Sequence, residues 1–496
     1  MSQVSIFKLP NECFYTIMKY IKRNCERERP LASVDIKYDD LISFAACCEA
    51  FGLLLSEWDT NLSFKLMKYV TLKTSNIHID FEKTYARLKD ATARDKEAHW
   101  SSLSHAIRSS GLTEVALRYA PESFYADHMD AFNTVLSQLQ KKQNLRGLSI
   151  NVPAYTLEGL GGLASLETLR LDIRMDIDDL IEICRCNKNL RVLEYMNNET
   201  GGKRLAAIAP HCQQLEELTL KMRPDCDASE YRNFAKIPKL QHLTIVGVHE
   251  KGTLQPLLEG FACNQSTILN RLFIVDASLD QNETQAMFEI ETLTQVKCGF
   301  DDTQSIGLLS QLSNLDCLKI QSEQEFGTVS EHVLSILMKS KVNINIDLFK
   351  WSISYGATGE LSIWMTDANA NPTDCSPLSS LPGLTSYQVH GLPRIGLLQP
   401  ILNGLALRQA PTLTDLLLKN ITAEEIATVS EIASLSRLKC GFAETQNIEL
   451  LARLPVLKKI NDFMCAMPRI PPGPSGCSGL APVTDTPKVL SVKRKT

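Results

Sequence analysis

Hydrophobic positions along the middle of the chain recur as Leu-x-x-Leu-x-aliphatic at intervals of about 21 to 29 residues. The copies read LRGLSI from Leu145, LETLRL from Leu166, LRVLEY from Leu190, LEELTL from Leu215, LQHLTI from Leu240 and LNRLFI from Leu269. Weaker copies start at Leu293 and Leu315, and the pattern resumes at Leu413, Leu435 and Leu457. In each copy the fourth and sixth places alternate with polar residues, the period of a short half-buried strand. Segments with helical spacing lie between copies, such as Leu180, Ile181, Ile183 and Cys184, or Leu205, Ile208 and Ala209. Each unit is predicted to be one strand and one helix. Such a unit cannot bury its apolar side alone, so strands should stack in a parallel sheet with helices on the outer curve. The expected architecture is an α/β horseshoe solenoid.

A longer repeat supports continuity. LQPLLEGFA at 254–262 returns as LQPILNGLA at 398–406, and KCGFDDTQSIGLLSQL at 297–312 as KCGFAETQNIELLARL at 439–454. The offset of about 142 to 144 residues equals six units of about 24 and indicates an internal duplication covering 240–320 and 384–462. Two degenerate units should then fill the gap between Leu315 and Leu384, with candidate strands at Val342–Leu348 and Leu361–Met365 and a polar insertion at Thr366–Ser380.

Outside the array the pattern changes. Residues 7–21 (FKLPNECFYTIMKYI) place Cys13, Phe14, Ile17, Met18 and Ile21 at helical intervals, with a proline where a first turn tolerates one. Asp39 and Asp40 are plausible caps for a second helix whose apolar stripe is Leu41, Phe44, Ala45, Cys48, Phe51 and Leu55. The boundaries that follow are a helical module at 1–60, a helical linker or cap at 61–110, the solenoid at 111–462 and a disordered Pro/Gly/Ser/Thr-rich tail at 463–496.

Composition narrows the function classes. The 496 residues are 44% hydrophobic and 22% charged with a formal net charge of −5, so the chain can bury a large core and offers no net attraction to phosphates. No nucleic-acid partner is expected. No apolar run approaches the roughly 20 residues that cross a bilayer, and MSQVSIFKLP is not a secretory signal; a cytoplasmic or nuclear location is expected. Fifteen scattered cysteines, an odd number, then read as reduced thiols. NNETGGKR at 197–204 lacks the spacing of a phosphate loop, the nine histidines form no HExxH pair, and no nucleophile-elbow serine is present. No enzyme, cofactor or metal is expected.

These units resemble leucine-rich repeats, and LAAIAPHCQQLEELTL at 205–220 is similar to the cysteine-containing subtype, which makes Cys212 a buried turn residue. The asparagine that the commonest subtype carries after the strand is mostly missing, Asn198 being a candidate. At the N-terminus Leu9, Pro10, Glu12, Ile17, Ile21, Asp40, Leu41, Cys48 and Phe51 follow in the order of an F-box, although the interhelical segment is about fifteen residues longer than usual and Phe51 replaces a common tryptophan. That resemblance implies docking onto a Skp-family adaptor, and through it a cullin scaffold, by Leu9, Pro10, Glu12, Ile17, Ile21, Leu41, Phe44, Cys48 and Phe51. The repeats would hold a protein substrate for ubiquitin transfer. The alternative is a helical cap on a repeat scaffold unrelated to ubiquitin.

The strand residues that point away from the core should line the binding face. Early repeats place Glu167, Glu194, Glu216 and Glu217 there beside Arg146, Arg170 and Arg191. Later ones place Lys297, Lys319, Arg437, Lys439, Lys458 and Lys459, a set suited to an acidic or phosphorylated segment. An ordinary solvated face is the other reading.

Overall fold

In the computed structural model, the described residues are 12–13, 16–17, 19–21, 70–72, 76–119, 126–157, 160, 162–197, 202–222, 228–264, 267–309, 315, 317–322, 326–339, 343–348, 351–365, 372–391, 398–407, 412–442, 447–461 and 463–464. The chain divides into a first unit, Met1–Leu269, and a second, Asn270–Thr496.

In the first unit, β1 (Val70–Leu72) runs antiparallel to β2 (Asn76–Asp80). From β2 the ladder is parallel at every step through β3 (Glu114–Arg118), β4 (Gly147–Leu157), β5 (Thr168–Met175), β6 (Val192–Tyr195), β7 (Glu217–Lys221) and β8 (His242–Val246). Parallel neighbours need a crossover. In five of the six steps it holds a helix, α-helices at Ala93–Ser109, Ala126–Leu139 and Ile177–Cys186, then 3-10 helices at Gly202–His211 and Ala228–Lys236; between β4 and β5 no helix is present among the described residues. Alternate strand residues such as Leu148 and Ile150, or Leu169 and Leu171, are buried on the helical side. Each contributes about 1.5–3 kcal/mol relative to exposure. The ladder thus begins upstream of the expected boundary at 111. The stretch expected to be a helical linker also holds β2, whose NIHID alternation buries Ile77 and Ile79.

In the second unit, β9 (Arg271–Leu279), β10 (Gln295–Phe300), β11 (Cys317–Ser322) and β12 (Asn343–Leu348) are parallel. The ladder then reverses into β13 (Trp351–Tyr355) and reverses again into β14 (Glu360–Met365). It continues parallel through β15 (Ser386–His390), β16 (Asp415–Leu417), β17 (Arg437–Lys439) and β18 (Lys459–Ile460). Both candidate strands of the gap exist, but an antiparallel strand joins them where a helix was expected. The GATG turn after β13 closes through Gly356 N–H donating to Glu360 O at 2.8 Å, with Gly359 at φ +84°. A short β19 (Phe463–Met464) pairs antiparallel with β18, so order extends two residues into the expected tail; 465–496 lie outside the described residues.

The duplication is visible in local structure. From β10 to β17 there are five parallel pairings, with β13 inserted antiparallel between β12 and β14. Helices Gln281–Phe288 and Ala423–Val429 start with the same capping box, Asp280 with Glu283 and Thr422 with Glu425, and both glutamates are buried. Each box satisfies two otherwise orphaned backbone N–H groups.

Candidate functional site

The sheet face turned away from the helices is lined by the alternate, solvent-facing strand residues. In the first unit these charges are matched across neighbouring strands. Arg146 lies 3.6 Å from Glu167, Arg170 lies 3.4 Å from Glu194, and Arg191 donates to both carboxylate oxygens of Glu216 at 3.0 and 2.8 Å. Because Arg146, Glu167, Arg191 and Glu216 occupy the same place in successive Leu-x-x-Leu copies, the sign alternates from strand to strand. Hydrogen bonding by Arg191 holds the Glu216 carboxyl below its ordinary range.

The open face of the second unit differs. Lys319 pairs with Asp347 at 3.0 Å and Arg437 with Asp415 at 3.1 Å. Between these pairs, β13 to β15 present Ser352, Ser354, Ser362 and Gln388, and at the end of that patch Trp364 stacks on His390 with ring centroids 4.0 Å apart and planes at 13°. Trp364 is 51% exposed. Burial, and then the charge of Lys419, lowers the His390 pKa. His390 Nε2 lies 3.3 Å from Gln388 Oε1.

Of the basic residues expected to form one set, Lys297 and Lys319 are register partners on β10 and β11. Arg437 and Lys439 lie on β17, and exposed Lys458 directly precedes β18. The set is therefore two clusters separated by β12 to β16. At the N-terminus Glu12 is exposed, Ile17 half-buried and Ile21 buried, all helical. Leu9, Pro10, Leu41, Phe44, Cys48 and Phe51 lie outside the described residues.

Three residues sit at the junction of neighbouring repeats, and two of them, Asn187 and Lys142, tie the repeats together by side-chain hydrogen bonds. All three share the place three residues before the first leucine of a copy. Cys212 is buried there, as its subtype implies, and Cys184 of the preceding helix is buried as well. Asn187 is buried at the same place, accepting from Leu166 N–H and donating to Leu163 O and Ile183 O, each at 2.8 Å. Lys142 is buried there too, donating to Ser110 O, Ile107 O and Arg108 O at 2.7, 2.9 and 3.4 Å at the C-terminus of helix Ala93–Ser109, and burial pulls its pKa down to about 8. Asn198, the sequence candidate, lies outside the described residues. Neither Asn187, Lys142 nor the Trp364–His390 pair was singled out from sequence; aligning every copy on its first leucine places Asn187 and Lys142 over Cys212 and is the signal that finds them.

Among the described residues no group of three or more His, Cys, Asp or Glu is arranged to hold a metal ion. No described helix is long and apolar enough to cross a membrane. No family model and no curated protein matches the chain. Among solved structures it is similar to an internalin, InlF, from Listeria monocytogenes, at 15% identity over 77% of this chain and 94% of that one, with a TM-score of 0.34. It is also similar to TLR13 in its complex with ssRNA13, at 14% identity and TM-score 0.32, over 68% of this chain and about half, 55%, of that one. The class itself follows from the geometry above: a recurring Leu-x-x-Leu strand, a parallel ladder in sequence order and a helical layer on one face define an α/β leucine-rich-repeat solenoid.

Proposed function

We propose that the chain is a non-catalytic protein-binding subunit that holds its partner on the open face of the repeat sheet. The observation that carries this reading is the Trp364–His390 stack. A large aromatic side chain left half-exposed on a rigid strand, ringed by hydroxyl and amide groups, is the usual anchor of a protein interface. Lys319 and Arg437 are already matched by Asp347 and Asp415, so the basic set of Lys297, Lys319, Arg437, Lys439 and Lys458 weighs less than the aromatic pair.

The finer reading is a substrate-recognition subunit of a Skp-adaptor/cullin ubiquitin ligase. It is supported by the F-box-like order of Leu9, Pro10, Glu12, Ile17, Ile21, Leu41, Phe44, Cys48 and Phe51. Such a subunit acts by raising the effective concentration of a substrate lysine near the conjugating enzyme and needs no catalytic residue. Burial of Ile21 favours a second reading, a helical cap on a scaffold unrelated to ubiquitin. Co-purification of the full chain with a Skp-family adaptor separates the two. The ligase reading expects binding by the native chain and loss of binding in a Leu9→Asp, Pro10→Ala variant; a folded native chain that leaves the adaptor unbound at micromolar concentration overturns it.

A further inference from the structure

The open face of the first unit carries a depression of about 390 Å³ across β2 to β5. Its floor is made by small residues, Ala116 of β3 with Gly147 and Ser149 of β4. Asn76, His78 and Glu114 wall one side, and Arg170 the other. Gly147 is needed for this shape: a Cβ there would stand 2.8 Å from Glu114 Cγ, so its absence lets the glutamate lean over β4.

The chemistry of the walls is unbalanced. Arg170 is matched by Glu194, whereas no lysine, arginine or histidine among the described residues is ion-paired with Glu114. Among the described residues Glu114 accepts only a long hydrogen bond, from Asn76 Nδ2 at 3.5 Å. The other amide atom, Asn76 Oδ1, is buried with no hydrogen-bond donor among the described residues. The Glu114 carboxylate and the Ser149 hydroxyl line one small depression at the lower end of ligand-site volumes. Its floor, the Ala116 methyl group and the bare backbone of Gly147, suits an aliphatic stem.

We propose that this depression receives a lysine or arginine side chain of the bound protein partner, with Glu114 as counter-ion. The proposal rests on the protein-binding reading and gives that partner a cationic residue at this end of the face. The test uses the full chain and four small probes, the N-acetyl amides of arginine, lysine, glutamate and leucine, followed by saturation-transfer NMR. Saturable binding of the arginine and lysine amides at about millimolar affinity, the range open to ligands this small, is expected. A loss of roughly fivefold or more is expected in Glu114→Gln, where the charge is gone and the size kept. Gly147→Ala should weaken the same two probes; if that variant does not fold, Glu114→Gln decides alone, since its side chain is exposed. Equal binding of all four amides, preference for the glutamate amide, binding unchanged in Glu114→Gln, or no binding by any probe would each overturn the proposal. None of these outcomes depends on the adaptor, whose co-purification should be the same for Glu114→Gln and the native chain.

Discussion

The two units use the same strand-and-helix repeat and differ in what fills the middle of their open faces. In the first, polar groups largely answer one another. Arginine and glutamate alternate across the strands from Arg146 to Glu216, and buried Asn187 and Lys142 bond the backbone of the preceding repeat. In the second, the ladder is interrupted by antiparallel β13, and the sheet around it presents serines, an amide and the exposed Trp364. A regular array can hold itself together through its own side chains. Where the repeat is broken, the side chains mainly contact one another, Ser352 with Asp347, Gln388 with Ser386 and Trp364 with His390, yet half of Trp364 is left in water, and such a group is a candidate for a partner.

The largest effect expected from this contrast is at Asn187. Asn187→Ala removes three hydrogen bonds and strands buried backbone groups of two repeats, so a loss of about 3 kcal/mol in unfolding free energy is expected by urea denaturation. A loss near that of an exposed residue would mean that the first unit does not depend on its internal polar ties. Trp364→Ala is the converse. Stability should be nearly unchanged, because half of the ring is already in water, while affinity for a protein partner captured by the native chain falls by about 2 kcal/mol, roughly thirtyfold in Kd. Unchanged affinity would remove the aromatic pair from the interface.

The repeat was legible because two signals coincide: period-two alternation within each strand, and a recurrence of about 24 residues between strands. The duplication was read from the same kind of recurrence, and the matching capping boxes at Asp280 and Thr422 agree with it locally. β13 was not. WSISY alternates as well as ELSIWM does, and alternation carries no strand direction. The informative feature was spacing: two residues between Leu348 and Trp351 are far too few for a parallel crossover, and Gly356 and Gly359 bracket a hairpin turn. β2 was missed because it lacks the Leu-x-x-Leu frame. The functional face was legible only as a list of outward residues. Which of those charges are matched depends on cross-strand register, as for Lys319 with Asp347 and Arg437 with Asp415, while Trp364 had no sequence mark beyond its outward parity.

Lys142 sharpens the contrast through pH. Its pKa falls from the ordinary 10.5 to about 8 because it is buried. Between those values the unfolded chain binds more protons than the folded one, so stability rises with pH across that window and is level below it. The gain should be about 1 kcal/mol as pH is raised from about 8 to about 9, read from urea midpoints. Lys142→Met, which has no titrating group, should lose the rise. It should also be less stable at neutral pH, where the carbonyls of Ile107 and Ser110 lose their donor. A variant that keeps the rise would place the titration elsewhere.

The smallest effect belongs to the most conspicuous feature of the first unit, its alternating ladder. Arg191 and Glu216 make the best pair in it, bidentate and short, yet both lie on a solvated face where water and salt screen the attraction and long side chains resist being fixed. Arg191→Ala should shift the urea midpoint by no more than the error of the measurement, and any shift should vanish in high salt. A substantial, salt-resistant loss would mean that the pairs act as one coupled network from Arg146 to Glu216, and the first unit would then be held together as firmly at its open face as at its core. The expected null result instead gives the ladder a different role. It matches the charges from Arg146 to Glu216 with one another, so that on the proposal above a cationic partner finds Glu114 more attractive than those pairs.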